Sequence, residues 1–268
     1  MKEAREGADG DRARLEAVCE AEEALESFPI YEGIGVYAES GLHSSLKASY
    51  SGAGSRFEVP LEGKIVDVVR IGPHGEELVE IQTHRLDKIR DKVLSLAKGH
   101  KVRIVHPVPV VTRIVRISPE TGEILSERKS PKSGDCYSIF DELVRAPALI
   151  GARNITIEVV LVRCREVRCR DGTGSWRRRG DRILSRDLDG ILSSRVFSKP
   201  SDWLKIIPAA LAQPWSSASL GEALEIGPER ARKILYSYAA AGLIASAGKV
   251  GRWKLYEARP AGARGHKK

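Results

Sequence analysis

Residues 56–98 are the stretch that leaves the fewest folds open. Three runs suited to strands, 56–60, 64–71 and 77–83, follow one another with only turns between them. The middle run carries Ile65, Val66, Val68 and Val69, β-branched side chains that fit a pleated, half-buried surface. Gly72-Pro73-His74-Gly75 is a strong turn signal ahead of the third run. At 86–98 the period changes: Leu86, Ile89, Val93, Leu94 and Leu96 recur at helical spacing, and Gly99 offers a C-cap. A short helix at 39–50, with Leu42 and Leu46 on one face, precedes the strands, and a further strand at 101–106 follows the second helix. Helix, three-strand meander, helix, strand is an α/β order around a mixed sheet.

Beyond it the pattern predicts a strand at 111–118, a polar loop at 119–135, a helix at 137–150 and a long strand at 155–168. A basic loop at 171–180 follows, then a short strand and helix within 182–192. Pro and Ser interrupt the text near 198–200, which sets a boundary. The expected organisation is a charged arm at 1–29, an α/β domain at 30–198, a helical module at 199–258 and a basic tail at 259–268. In the module, helices are expected at 202–207, 217–224 and 228–241, the last with Pro228 at a first-turn position. Two strands, 244–249 and 252–257, pair across Val250-Gly251.

Two sets of residues carry chemistry. Asp67 sits in an apolar strand; Glu80 and Gln82, two apart on the next strand, share a face. If the strands are neighbours, Asp67, Glu80 and a backbone carbonyl such as that of Ile81 make an oxygen-rich site for Mg2+ or Mn2+. Such an ion activates water and steadies charge on a phosphate. Glu39, His43 and Lys47 are spaced by four and line one helix face, and Glu58 is a competing third acid. The bland alternatives are a buried Asp67 held by backbone donors and a solvated edge bearing Glu80 and Gln82.

The second set is cationic. Arg230 and Lys233 are three apart on one helix face with Arg232 beside them, while Ile234 and Leu235 point inward. Lys249 and Arg252 flank the hairpin tip. A helix with a basic N-terminal half suits the major groove, and the tip suits phosphate or the minor groove. Trp176-Arg177-Arg178-Arg179 joins an aromatic to three guanidinium groups, which suits base stacking and phosphate binding.

The segment at 200–257 resembles winged helix-turn-helix domains. The likeness rests on Ser219-Leu220-Gly221-Glu222-Ala223-Leu224, Arg230-Ala231-Arg232-Lys233-Ile234-Leu235, Ala241-Gly242-Leu243-Ile244 and the hairpin tip. It implies a DNA partner, and such modules also pair protein subunits, which makes a homodimer the other partner. Residues 31–118 resemble the PD-(D/E)xK nuclease superfamily, in which an acid on the second strand precedes acid-x-Lys on the third. The resemblance implies a restriction-endonuclease-like core and Mg2+-dependent phosphodiester cleavage. Asp67 and Glu80 would hold the metal, Gln82 would place water, and Glu39 or Lys47 would assist. Gln82 stands where that superfamily has Lys, and Gln carries no charge. The rival reading is therefore a DNA-binding regulator with a degenerate nuclease-like domain.

The net charge of +8 and a pI of about 9.3 agree with a polyanionic partner. No run approaches the roughly 18 apolar residues of a membrane span. The first 26 residues lack the apolar segment of a secretory signal, so the expected location is the cytoplasm, away from the membrane. Cys19, Cys136, Cys164 and Cys169 have no zinc spacing and are expected as reduced thiols.

Overall fold

The computed structural model of the chain describes residues 41–72, 75–178 and 180–259. The expected arm at 1–29, Glu39, Arg179 and all but the first residue of the basic tail lie outside the described residues. The first described helix, α1, spans Gly41–Ser49. Strands β1 (Arg56–Leu61), β2 (Lys64–Gly72) and β3 (Gly75–Ile81) form the antiparallel meander. Helix α2 (Leu86–Leu96) then crosses over, and β4 (Lys101–Ile117) returns parallel to β3. Two further strands, β6 (Ile155–Cys169) and β7 (Arg182–Phe197), extend the sheet to the order β1-β2-β3-β4-β6-β7. A mixed sheet in an α/β arrangement is thus present. Leu42 and Leu46 of α1 pack with Val68, Val79, Ile81, Val105, Val160 and Val162 on one face. Leu86, Val93 and Leu96 of α2 pack with Val69, Leu78, Val102 and Ile104 on the other.

Four local expectations need correction. The strands expected at 101–106 and 111–118 are one 17-residue strand running through Pro107 and Pro109. Pairing with β3 ends at Val105, and pairing with the next neighbour starts only at Arg113. The prolines fall in that gap, where a strand needs no amide on that edge. The neighbour is β5 (Ile124–Lys129), inside the segment expected to be a loop. All six of its residues are exposed, so it has no buried alternation to announce it. The helix expected at 137–150 is broken into a 3-10 turn Cys136–Ile139, a single turn α3 (Phe140–Leu143) and a second 3-10 turn Pro147–Leu149. Pro147 disfavours helical backbone at the residue before it. Finally, 182–192 holds no helix; β7 is one strand, paired antiparallel to β6 from Cys169 to Ile157.

After β7 come α4 (Pro200–Leu204), α5 (Ser217–Ala223) and α6 (Pro228–Ala240), then the hairpin of β8 (Ile244–Val250) and β9 (Trp253–Ala258). The Ser216 side chain caps α5 by accepting from the Ser219 amide, and Pro228 opens α6. Leu220, Ile234, Leu235 and Tyr238 belong to the same apolar cluster as α2 and its sheet face. An aromatic cluster joins the two. Phe197 stacks on Trp203 at 4.1 Å, and Phe140 sits edge-on to both Trp203 and Tyr238. The Tyr238 hydroxyl donates to the Trp203 carbonyl at 2.6 Å.

Candidate functional site

Asp67 and Glu80 lie on neighbouring antiparallel strands, but their carboxyl groups turn to different helices. Val66 and Val69 join the cluster under α2, whereas Val68 joins the one under α1. Strict alternation cannot place 66 and 69 together, so the pleat slips between them. On β1, between the pairs Phe57↔Val68 and Val59↔Val66, Glu58 adopts φ +50°. The slip leaves the Asp67 carboxyl toward α1. There Oδ2 accepts the Ile81 amide at 2.8 Å and lies 3.4 Å from His43 Nε2. His43 donates from the same nitrogen to the Ile81 carbonyl at 2.9 Å. Lys47 Nζ is 3.8 Å from Asp67 Oδ1 and also meets Glu58. Burial pushes the Asp67 pKa up, but His43, the Ile81 amide and Lys47 outweigh it and hold the carboxyl below the usual aspartate value.

Glu80 shares its face with Leu78, toward α2, and is only 3% exposed. It is therefore no solvated edge residue. Lys92 of α2 brings its ammonium to 2.6 Å from Oε1, yet off the hydrogen-bonding direction, so this buried oxygen has no aligned donor. The Lys92 ammonium also meets the Ile65 carbonyl. Burial raises the Glu80 pKa, Lys92 opposes it, and the charge of Asp67 adds to the rise, leaving it at about 7.

These donors do not close around a metal ion. Asp67 is already held by a backbone amide and faces His43, and Lys92 stands against Glu80 where a cation would go. The Ile81 carbonyl, the third candidate oxygen, accepts from His43. Among the described residues no three His, Cys, Asp or Glu side chains cluster as metal ligands. Gln82 donates through Nε2 to the His84 carbonyl, and its backbone carbonyl accepts from the buried His106 Nδ1 at 2.7 Å.

Sequence reasoning missed Lys92. It flanks the Ile89–Val93–Leu96 stripe of α2, where a long side chain runs along apolar surface and delivers its charge to a buried partner. That position relative to the stripe was the available signal. Also missed was a ladder of charges on the α1 face. Glu77 accepts from Arg70 and Arg103, and Arg103 reaches on to Glu158 at 2.8 Å.

The cations of the C-terminal module separate into two groups. Arg230 donates to Asp135 at 2.9 Å and Lys233 to Asp141 at 2.9 Å, so both face the sheet-bearing body. The Asp141 partner raises the Lys233 pKa. Arg232 of α6 and Lys249, Arg252 and Lys254 of the hairpin are exposed. The Arg252 guanidinium lies over the Trp253 ring, 4.8 Å from its centroid. Trp176 and Arg178 occupy a 3-10 turn at the β6–β7 connection, with Trp176 outward. Cys136, Cys164 and Cys169 are buried free thiols; Cys19 lies outside the described residues.

Residues 40–198 match a family described as a domain of unknown function, DUF8091, over more than half of the chain. The chain belongs to that family. The matched segment runs from the start of α1 to the end of β7 and so contains Asp67, Glu80, Lys92 and the whole sheet. A protein of Treponema pallidum (strain Nichols), described as an uncharacterized protein, is 31% identical over 225 residues, covering 84% of this chain and 87% of that one. No solved structure matches. No helix among the described residues is long and apolar enough to cross a membrane.

Proposed function

We propose that this protein binds duplex DNA through its C-terminal module and that the DUF8091 body is a non-cleaving platform. The observation that carries the reading is which cations stay outward. Lys249, Arg252 and Lys254 crowd the β8–β9 hairpin, and Arg232 of α6 is exposed as well, on a module with the helix, turn, helix, hairpin order of winged helices. Arg230 and Lys233, expected to read the groove, tie α6 to Asp135 and Asp141 instead. The hairpin therefore leads the contact, and the two inward-facing cations hold the module on the body. Lys92 against Glu80 supports the non-cleaving part, because an internal ammonium stands where cleavage chemistry needs a metal.

A second reading, a phosphodiester hydrolase, has one observation in its favour: the buried Glu80 Oε1 lacks an aligned donor. Both readings are tested on the full chain. Duplex affinity should fall steeply with salt, and replacing Lys249, Arg252 and Lys254 with Ala should lower it at least tenfold and flatten the salt slope. Replacing Arg230 should have a smaller effect. Absence of salt-sensitive duplex binding at low ionic strength defeats the DNA reading. Cleavage with Mg2+ or Mn2+ that Asp67→Asn abolishes replaces the platform reading with the hydrolase.

A further inference from the structure

The β6–β7 hairpin carries a larger surplus of positive charge than the C-terminal module. Residues 163–186 contain nine arginines (163, 165, 168, 170, 177, 178, 179, 182 and 186) against three carboxylates, a surplus of six in a chain whose net charge is +8. All three acids are already engaged. Glu166 is clamped by Arg168 and Arg186, Asp181 by Arg116 and Arg170, and Asp171 by Arg182. The acids are thus neutralised in place, and the arm as a whole keeps a strongly positive field for an anionic partner.

The tip itself is a built loop. Gly174 donates to the Gly180 carbonyl, and a Cβ at Gly174 would lie 2.1 Å from the Asp181 backbone, so only glycine permits this closure. Asp171 accepts from the Thr173 amide at 3.0 Å and from its hydroxyl at 2.7 Å. Arg178 donates to the Asp181 carbonyl. These contacts present Trp176 with 82% of its surface exposed, at the end of strands that project past the paired portion of β3. Hydration of so large an aromatic surface is costly, and a π-face on so arginine-rich an arm suits a planar, anionic-backboned ligand.

We propose that the tip of the β6–β7 arm binds an unpaired nucleic-acid strand, with Trp176 stacking on a base and the positive field of the arm holding its phosphates. Bases inside a duplex have no free face for Trp176, which makes the arm selective for single strands or strand ends, where the C-terminal hairpin takes duplex. The inference rests on the nucleic-acid reading of the cationic surface, but on a different element.

The test uses the full chain with a short oligothymidylate and a duplex of matched length. Trp203 and Trp215 are buried but Trp253 is half-buried on the C-terminal hairpin, so protection of tryptophan emission from acrylamide on adding the oligonucleotide is assigned to Trp176 only by its loss in Trp176→Phe. Trp176→Ala should weaken single-strand binding about tenfold and leave duplex binding unchanged, and Trp176→Phe should retain most of the single-strand affinity. The variant lacking the charges of Lys249, Arg252 and Lys254 should do the reverse. Its failure to lose duplex binding would count against the proposed function and leave the arm untouched. The arm proposal is overturned if the wild type ignores the oligothymidylate at low salt. It is equally overturned if Trp176→Ala binds it as tightly as wild type, or loses single strand and duplex alike.

Discussion

On the α1 face of the sheet, Asp67 has a backbone amide, a histidine and a lysine around it, and its pKa falls below that of an ordinary aspartate. On the α2 face, Glu80 has Lys92 and the Asp67 backbone amide beside it, its Oε1 lacks an aligned donor, and its pKa climbs to about 7. Burial raises the pKa of both acids, and Glu80, with 4% of its side chain exposed against 18% for Asp67, is the more deeply withdrawn. At Asp67 the contacts with His43, the Ile81 amide and Lys47 outweigh burial, whereas at Glu80 burial and the neighbouring Asp67 charge outweigh Lys92 and the Asp67 amide. A carboxylate whose donors outweigh its burial stays ionised, whereas one whose burial and a nearby negative charge outweigh its donors titrates near neutrality. The same contrast extends along each face: the α1 side carries the Arg70–Glu77–Arg103–Glu158 ladder, while the α2 side is a continuous apolar cluster reaching Tyr238.

The largest test of this contrast is Lys92→Met. It leaves Glu80 buried without a cation and should cost about 3 kcal/mol at pH 8 by urea unfolding. The loss should shrink below pH 6, because Glu80 then protonates; an equal loss at pH 5 and pH 8 would break the comparison. Next is Glu80→Gln. The folded pKa of about 7 exceeds the reference of 4.5, so the folded state binds extra protons and wild-type stability drops as pH rises through that window. A tenfold difference in proton affinity between folded and unfolded states is worth about 1.4 kcal/mol. Relative to wild type, the variant should therefore gain about 2 kcal/mol between pH 4.5 and pH 8, with partial screening by solvent included. A flat difference across that range removes the claim for Glu80.

Asp67→Asn probes the opposite sign. Its lowered pKa contributes stability above the reference of 3.8 that is lost as pH falls through the folded value. The variant should lose about 1 kcal/mol at pH 7 and converge on wild type as pH falls through the lowered folded value, by thermal melts across the acid range. The smallest effect belongs to Arg56→Ala, which removes an exposed pair with Glu76 at 2.9 Å. Stability should stay within about 0.5 kcal/mol of wild type at every pH, and a larger change shows that exposed pairs in this sheet behave like the buried ones.

The helix, meander, helix, strand order was legible because each element announces itself locally through its period. Residues 64–71 and 86–98 carry their own apolar pattern, and β2 and α2 appear where it lies. Strand β5 was illegible for the complementary reason: Ile124–Lys129 buries nothing and exists by pairing with β4. Strand β7 was half legible, since a Gly and mixed polar residues blur its alternation while its hydrogen bonds come from β6. The candidate site was legible as a list of acids but not as an arrangement. Its missing member, Lys92, is 12 residues from Glu80 along the chain and reaches it only when α2 lies on the sheet.

The sequence by itself determined the period of most elements, the charge surplus on the β6–β7 hairpin and the presence of Asp67, Glu80 and the basic stretch of α6, because all of these are properties of neighbouring residues. Tertiary structure alone decided where those charges point. A slip in the pleat between Val66 and Val69 turned Asp67 to α1, helix packing set Lys92 on Glu80, and docking of α6 spent Arg230 and Lys233 on Asp135 and Asp141. The physical reason is that a side chain's direction is set by local backbone, but its partner is set by whatever long-range packing brings within a few ångströms.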